Sequence, residues 1–298
     1  MMKGPRNWSL AVREPEGNIV VIDEKFNSIS DRWPILKKPF FRGIFVLIET
    51  LVLGIKTIAL SANLSLGEST EEKITPKEMM ATLGIALVMV VGLFMVLPIL
   101  FTKAIDPLKG SRILFTFIEG SFRIMLFVGY IAVVSRLKDI QRVFQYHGAE
   151  HKTIHAYEAG EELTPANAAK YSTLHIRCGT AFMLIVMVVA IFTFSFLPTG
   201  SILLRVVGKI ILLPVVAGIS YEITRLAARH SNALIMRIIM APGLALQRLT
   251  TKEPDESQLE VAISALKRVL EVEGAEGYAR QKEAQIETHS TLVSLESP

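Results

Sequence analysis

Long apolar runs are the feature of this chain that most limits what it can fold into. Residues 80–101 and 179–197 carry no charged side chain, and residues 201–221 carry only Arg205 and Lys209, near the start of the run. A helix needs about 20 apolar residues to cross the hydrocarbon core of a bilayer. Long basic side chains can reach outward to the headgroups, and we expect Arg205 and Lys209 to do so. The runs predict a polytopic α-helical membrane protein.

Two further apolar runs each contain a pair of charged residues. Residues 43–62 contain Glu49 and Lys56, and residues 113–134 contain Glu119 and Arg123. Charges at membrane depth are costly and usually face the protein interior or water. Two interpretations follow. The charges form ion pairs between structural helices, or they line a polar cavity that belongs to an active site.

The charges of the connecting loops predict the topology. Residues 63–78 are net acidic and are expected outside, whereas residues 102–112 and 135–152 are basic and are expected inside. Since basic loops flank residues 113–134 on both sides, this run is predicted to be a re-entrant or interfacial helix. Four crossings then place the histidine-rich segment and the C-terminus in the cytosol.

The remaining patterns divide the chain into six parts. Two β-branched runs around "EPEGN" predict a small N-terminal hairpin. "NALIMRIIMAPGLALQRLTT" is apolar but interrupted at Pro242 and Gly243, which favours a pair of short interfacial helices. The predicted parts are a hairpin with an interfacial segment (1–41), membrane helices (42–135), a cytosolic His/Glu helical segment (136–178), membrane helices with an interfacial segment (179–250), an amphipathic helix (251–273) and a disordered tail (274–298).

Histidines are concentrated in the stretch "YHGAEHKTIHAYEAG", residues 146–160. Three of the six histidines, His147, His151 and His155, are spaced four apart there, and Glu158 follows. Residues four apart share one face of a helix, so two imidazoles can converge on one ion. Glu150 is rotated by about 100° from His151 and is placed to act as a general base. Gly160 is the expected end of this helix.

A second group of ligand-type residues follows shortly after. "LHIRC" contains His175 and Cys178, and "ELTPANAAKYS" predicts a short helix capped by Thr164 with Pro165 at its first position. A helix, a turn and a second helix could bring both groups together. The alternative is that the histidines are interfacial residues or a solvated polar face. The candidate metal ligands are His147, His151, His155, Glu158, His175 and Cys178.

These motifs resemble the YqhQ-type family of bacterial membrane proteins. The resemblance rests on "YHGAEHKTIHAYEAGEELT" followed by "HIRCGTAF", and extends to "EGSFRI", "GISYE" and "TKEPDESQLEVAISAL". It implies a multi-pass protein of the bacterial cytoplasmic membrane, in a family of unknown function sometimes labelled a predicted metal-dependent enzyme. Family members have a Gly-rich stretch resembling "GGQAVIEGV" ahead of "MMKGP", so the resemblance also raises the expectation of a further N-terminal stretch.

Three functions are compatible with these patterns. The first is a zinc-dependent hydrolase with Glu150 as base and a peptide, lipid or phosphoester substrate. The second is a non-enzymatic scaffold or assembly factor with a structural metal or none, and the third is an ion transporter using the charged residues of the membrane runs. The expected partner is the lipid bilayer, with a homo-oligomer or another membrane protein left open. A net charge of +4 without a basic, aromatic stripe argues against nucleic acid, and one cysteine excludes an intrachain disulfide.

Overall fold

The N-terminal segment forms a three-stranded antiparallel sheet. The computed structural model describes residues 1–65, 75–105, 111–198, 201–230 and 233–274. Strands β1 (Met2–Lys3), β2 (Asn7–Arg13) and β3 (Ile19–Lys25) lie in that order. The predicted hairpin is therefore confirmed and gains one short strand. The β2–β3 turn includes Gly17 at φ +95°, a conformation that favours glycine.

The sheet has a helix on each face. Trp8, Leu10 and Val12 of β2 pack on Leu53 of helix α2 (Phe41–Ser65). The alternate residues face helix α11 (Glu256–Glu273), where Ser9 Oγ donates to the Ala265 carbonyl at 2.5 Å. Successive side chains of a strand point to opposite faces, so a seven-residue strand supports both helices. Before α2 lie a short helix α1 (Ile29–Arg32) and a 3-10 turn (Pro34–Lys37).

Helix α11 connects the sheet to the histidine-rich helix. Asp255 caps it in a capping box with Gln258, and Leu259, Ile263 and Leu266 of the predicted amphipathic helix are buried. They share a core with Ala149 and Ala156 of helix α6 (Lys138–Glu158). The sheet, α11 and α6 thus form one polar-surfaced layer, which we call the site layer. The predicted disordered tail falls on residues 275–298, outside the described residues.

A rod of three consecutive helical segments leads into the bundle. The segments are α3 (Pro76–Val91), a π-helical turn (Gly92–Val96) and α4 (Leu97–Lys103). Pro98 has no N–H to give to the Phe94 carbonyl four residues earlier. Arg123 of helix α5 (Arg112–Val134) donates to that carbonyl instead, at 2.7 Å. Phe101 stacks on Phe122, and Phe94 meets Tyr130, so the rod runs antiparallel to α5.

The other bundle helices follow the site segment. They are α8 (Gly179–Phe194), α9 (Ile202–Arg229) and α10 (Leu234–Thr250). Helix α10 continues through Pro242 and Gly243, contrary to the expected interruption. A Cβ at Gly243 would lie 2.8 Å from Ala181 Cα, so glycine allows α10 to pack closely on α8. We call the end of the bundle where α5 ends and α8 begins the site end, and the opposite end the distal end.

In the described part of the chain, four helices are long and apolar enough to cross a membrane. They are Phe41–Ser65, Lys77–Lys103, Arg112–Val134 and Ile202–Ala227. The expected number is confirmed, but its membership differs. Residues 113–134, expected not to cross, lie in the uninterrupted 23-residue helix Arg112–Val134, whereas residues 179–197 contribute the 16-residue α8.

Charged side chains of α5 and α9 meet near the distal end. Arg205 donates from Nε and Nη2 to Glu119 Oε2 at 3.1 and 2.9 Å, and Lys209 and Arg123 contact Oε1. We call these four residues the buried ion cluster. Arg205 and Lys209 are fully buried rather than extended outward, because the carboxylate lies inside the bundle. The contacts of Glu119 and Arg123 favour the structural ion-pair interpretation.

Candidate metal centre

Close packing at Gly148 fixes helix α6 against the segment that joins α10 to α11. A Cβ at this position would lie 2.1 Å from the Lys252 carbonyl oxygen. The Lys252 amide in turn donates to the Phe144 carbonyl at 2.9 Å. The helix ends where predicted, with Gly160 at φ +73° immediately after the Ala159 cap. The segment around Thr250 therefore lies beside His147.

The segment that follows α6 returns along its histidine face. Thr164 caps the short helix α7 (Pro165–Ala169) as predicted, and the chain then passes back to Cys178. His151 Nδ1 donates to the Thr173 carbonyl at 2.5 Å, and His155 Nε2 donates to the Leu174 carbonyl at 2.9 Å. Because a carbonyl only accepts, these contacts fix the ring tautomers and orientations.

His147, His151 and Cys178 form the first of two groups of ligand atoms, which we call the first triad. One ligand atom from each lies within 4.8 Å of the others. His147 Nδ1 donates to the Thr250 carbonyl at 2.8 Å, leaving Nε2 at 3.2 Å from Cys178 Sγ. A backbone acceptor on the second ring nitrogen is the usual support of a metal-binding histidine.

The electrostatics of the first triad favour a thiolate. Burial would raise the pKa of Cys178, but hydrogen bonds from His147 and His151 outweigh it and lower the pKa to about 5. For His147, burial alone would lower the pKa, because it disfavours the charged ring. The contacts of the ring with Cys178 and the Thr250 carbonyl raise the pKa instead. A thiolate beside two imidazoles is the donor set that zinc and other borderline-soft metals prefer.

His155, Glu158 and His175 form the second triad, with ligand atoms also within 4.8 Å of one another. Glu158 is already engaged here, because it forms an ion pair with Arg177 and lies 3.6 Å from His175 Nε2. Burial is the main cause that lowers the pKa of both His155 and His175, so both rings are neutral near pH 7. His151 connects the triads, with its ring 5.6 Å from that of His175.

An open cavity of about 290 Å³ is bordered by the first triad and by Glu158 and His175 of the second. Glu150 lines it together with Arg177 and Gly179. Glu150, which the sequence analysis predicts as a general base beside the ligands, thus lies at the same cavity as the first triad. All six predicted ligands are brought together, although they separate into two groups rather than one. The cavity is lined by His147, Glu150, His151, Ile154, Glu158, His175, Arg177, Cys178 and Gly179.

Sequence reasoning missed the residues that position the site. Gln247 of α10 is fully buried, accepts from the His175 amide and donates to its carbonyl, both at 2.9 Å. Thr250 supplies the acceptor for His147, and Arg177 pairs with Glu158. A glutamine inside the apolar run "LALQRL" was an available signal, because a buried amide needs partners.

Comparisons with known proteins place the chain among uncharacterised relatives. A family profile described as "Protein of unknown function (DUF1385)" matches residues 38–272. "Uncharacterized protein YqhQ" of Bacillus subtilis (strain 168) is 34% identical over 288 residues, covering 92% of this chain and 90% of the relative. No solved structure matches the chain.

Proposed function

Since the chain belongs to the DUF1385 family, whose description states no function, we propose from the site itself that it is a metal-dependent membrane hydrolase. In this proposal His147, His151 and Cys178 hold one divalent metal ion, zinc, and Glu150 is the general base. The observation that carries the proposal is the convergence of two imidazoles and a thiol within 4.8 Å beneath an open cavity. Three protein ligands and a free position are the arrangement of catalytic zinc.

The first triad suits the metal better than the second. Arg177 pairs with Glu158 in the second triad and would compete with a cation for its carboxylate. In the first triad, the side chains that lower the pKa of Cys178 include His147 and His151, which are themselves proposed ligands. A metal ligand must be deprotonated, so a thiol that ionises readily costs less to recruit. We therefore assign Glu158 and His175 to the cavity wall, with His155 packed beside His175.

The chain's own groups then have distinct roles. When bound, zinc supplies Lewis-acid activation of water. Glu150 would accept the proton released as the water attacks, and the neutral His175, which lines the cavity, would face the substrate. Thr250 and Thr173 carbonyls hold His147 and His151 in the tautomers that leave Nε2 for the metal.

Metal analysis of purified protein tests the centre. Wild type should carry about one equivalent of zinc, while His147→Ala, His151→Ala and Cys178→Ser should each lose most of it. His230→Ala is the matched control, since His230 is exposed and its Nδ1 contacts the Leu226 carbonyl of its own helix. If all four variants bound the same amount of zinc, the proposed metal centre would be wrong.

A structural metal in a non-enzymatic scaffold is the second candidate. The rings of His151 and His175 are 5.6 Å apart, so a small shift of His175 could make it the fourth protein ligand of a metal held by the first triad. Four protein ligands are typical of structural zinc, which favours this candidate. Glu150→Gln separates the two functions, since it retains the side-chain shape but cannot act as a base. A hydrolase should keep its zinc and melting temperature but fail to complement a deletion strain. Full complementation with zinc bound would favour the scaffold.

A further inference from the structure

The N-terminal segment contacts helix α2 from Glu49 to Leu64. Glu49 accepts from Ser28 Oγ at 2.9 Å and from the Ile29 amide at 2.6 Å. Two turns later Lys56 pairs with Glu24 at 2.5 Å and lies over the Trp8 ring. Leu53, Leu60 and Leu64 pack on the apolar face of β2 between and beyond these contacts. The two charges of this apolar run therefore face the N-terminal segment.

The same sheet is part of the site layer. Its opposite face holds α11 through Ser9, Asn7 and Arg13, whose guanidinium pairs with Glu260 at 2.7 Å. Helix α11 packs on α6, which carries the histidines. If α2 crossed the bilayer, the sheet would be drawn into the hydrocarbon with its charged residues. Asp23, paired with Arg268, and Lys25 lie on the sheet, and burying such groups in lipid is strongly unfavourable.

The face of α2 away from the sheet is apolar and exposed. Leu51, Val52 and Ile58 are 64, 62 and 71% exposed, and Ile48 extends the same stripe. An apolar stripe on one side and polar contacts on the other are typical of a helix in the plane of a membrane surface. The basic residues Arg32, Lys37 and Lys38 precede the helix, where headgroups would be.

Both neighbours of α2 lie at the site end of the bundle. At its start, Arg42 pairs with Glu222 at 2.5 Å, and a Cβ at Gly43 would touch Tyr221, both near the end of α9 that leads to α10. After it, the α3–α4 rod runs antiparallel to α5, so the rod begins at the site end. The chain therefore has no need to cross between Phe41 and Pro76.

We propose that α2 does not cross the membrane but lies in its interface, with the Ile48–Ile58 stripe in the acyl region of the bilayer. The four crossings are then the α3–α4 rod, α5, α8 and α9, and the histidine site lies at the membrane surface. This reverses the expected sides of residues 75–78 and 111–112. Acidic residues influence orientation little. The basic residues Lys103 and Arg112 are then outside, whereas the basic residues of α6 still lie inside.

Cysteine labelling in the full chain tests the crossings. In a Cys178→Ser background, Lys77→Cys and Lys170→Cys should both resist a membrane-impermeant thiol reagent in intact cells and react after permeabilisation. Arg112→Cys and Ser201→Cys should react in intact cells. Should α2 cross and α5 not cross, Lys77→Cys would react and Arg112→Cys would be protected. That result would overturn the proposal.

Spin labelling identifies what covers the stripe. A nitroxide on Ile58→Cys in reconstituted bilayers should be accessible to oxygen but not to a water-soluble nickel complex. Lys267 of α11 is exposed on the site layer. A nitroxide on Lys267→Cys should therefore be accessible to the nickel complex and less accessible to oxygen. Low accessibility to both reagents at Ile58 would mean that a second copy of the chain covers the stripe, and accessibility to nickel would mean water. Either outcome overturns lipid contact without affecting the zinc proposal.

Discussion

The histidine site and the buried ion cluster both gather polar side chains, but only one of them is open. In the ion cluster, both Glu119 oxygens are occupied by three cations, and Arg205 also donates to Thr116 Oγ1 at 2.9 Å. The Phe115 ring lies 4.4 Å from the Arg205 guanidinium, and the Phe194 ring lies 5.6 Å from Lys209 Nζ. In the histidine site, a cavity of about 290 Å³ leaves ligand atoms and Glu150 facing open space.

The difference teaches that polarity inside an apolar molecule does not by itself indicate function. A cluster whose charges are mutually satisfied holds helices together, whereas a site with converging donors beneath a cavity can receive a ligand. The contacts also separate the charged residues of the apolar runs, which the transporter hypothesis would use as an ion path, into two groups. Glu119 and Arg123 belong to the cluster, but Glu49 and Lys56 contact the N-terminal segment.

Removing the carboxylate of the ion cluster should have the largest effect. Glu119→Gln leaves Arg205 and Lys209 buried without a counter-charge, and breaking a buried ion pair costs about 3–5 kcal/mol. We expect a lower yield and a much lower melting temperature in detergent. Whatever folded protein remains should keep its zinc, because the cluster is near the distal end.

Glu150→Gln is the matched control, since it makes the same substitution at the open site. It should leave the melting temperature close to that of wild type, because no hydrogen bond fixes this carboxylate among the described contacts. If both variants melt alike, the distinction between a closed cluster and an open site is wrong.

The sequence predicted the components of the molecule better than their arrangement. Helical spacing grouped His147, His151 and His155, and "LHIRC" supplied His175 and Cys178, because ligand types and periodicity are local signals. The separation into two triads depends on Thr173, Leu174 and Thr250 carbonyls, whose positions result from tertiary packing. The partners of Glu49 and Glu119 could not be predicted for the same reason. Glu49 and Glu119 both lie in apolar runs of the sequence. Glu49 contacts the N-terminal segment, whereas Glu119 contacts α9.

Adding a methyl group at Gly148 should have an intermediate effect on stability and should also weaken zinc binding at the histidine site. Gly148→Ala places a Cβ 2.1 Å from the Lys252 carbonyl and pushes the Thr250 segment away from His147. Overpacking of this kind costs about 1–3 kcal/mol. Zinc affinity should fall together with stability. Gly129→Ala of α5, where a Cβ meets nothing within 4 Å, should change neither, and an effect as large there would indicate a general response to altered helices.

The smallest expected effect is the pH dependence of the first triad in zinc-free protein. The folded pKa of Cys178 is about 5, below the ordinary value of 9.0, so the stabilisation from its thiolate is present above the unfolded value and is lost as pH falls through about 5. The raised pKa of His147 acts in the opposite direction, because its contribution is lost as pH rises through the folded value. Ultraviolet absorbance of the thiolate, with Cys178→Ser as blank, should therefore titrate near pH 5. His147→Ala should move the midpoint toward the ordinary thiol value, and His230→Ala should not. A wild-type midpoint near the ordinary value would mean that His147 and Cys178 are not paired, which would remove the electrostatic reason for assigning the metal to the first triad.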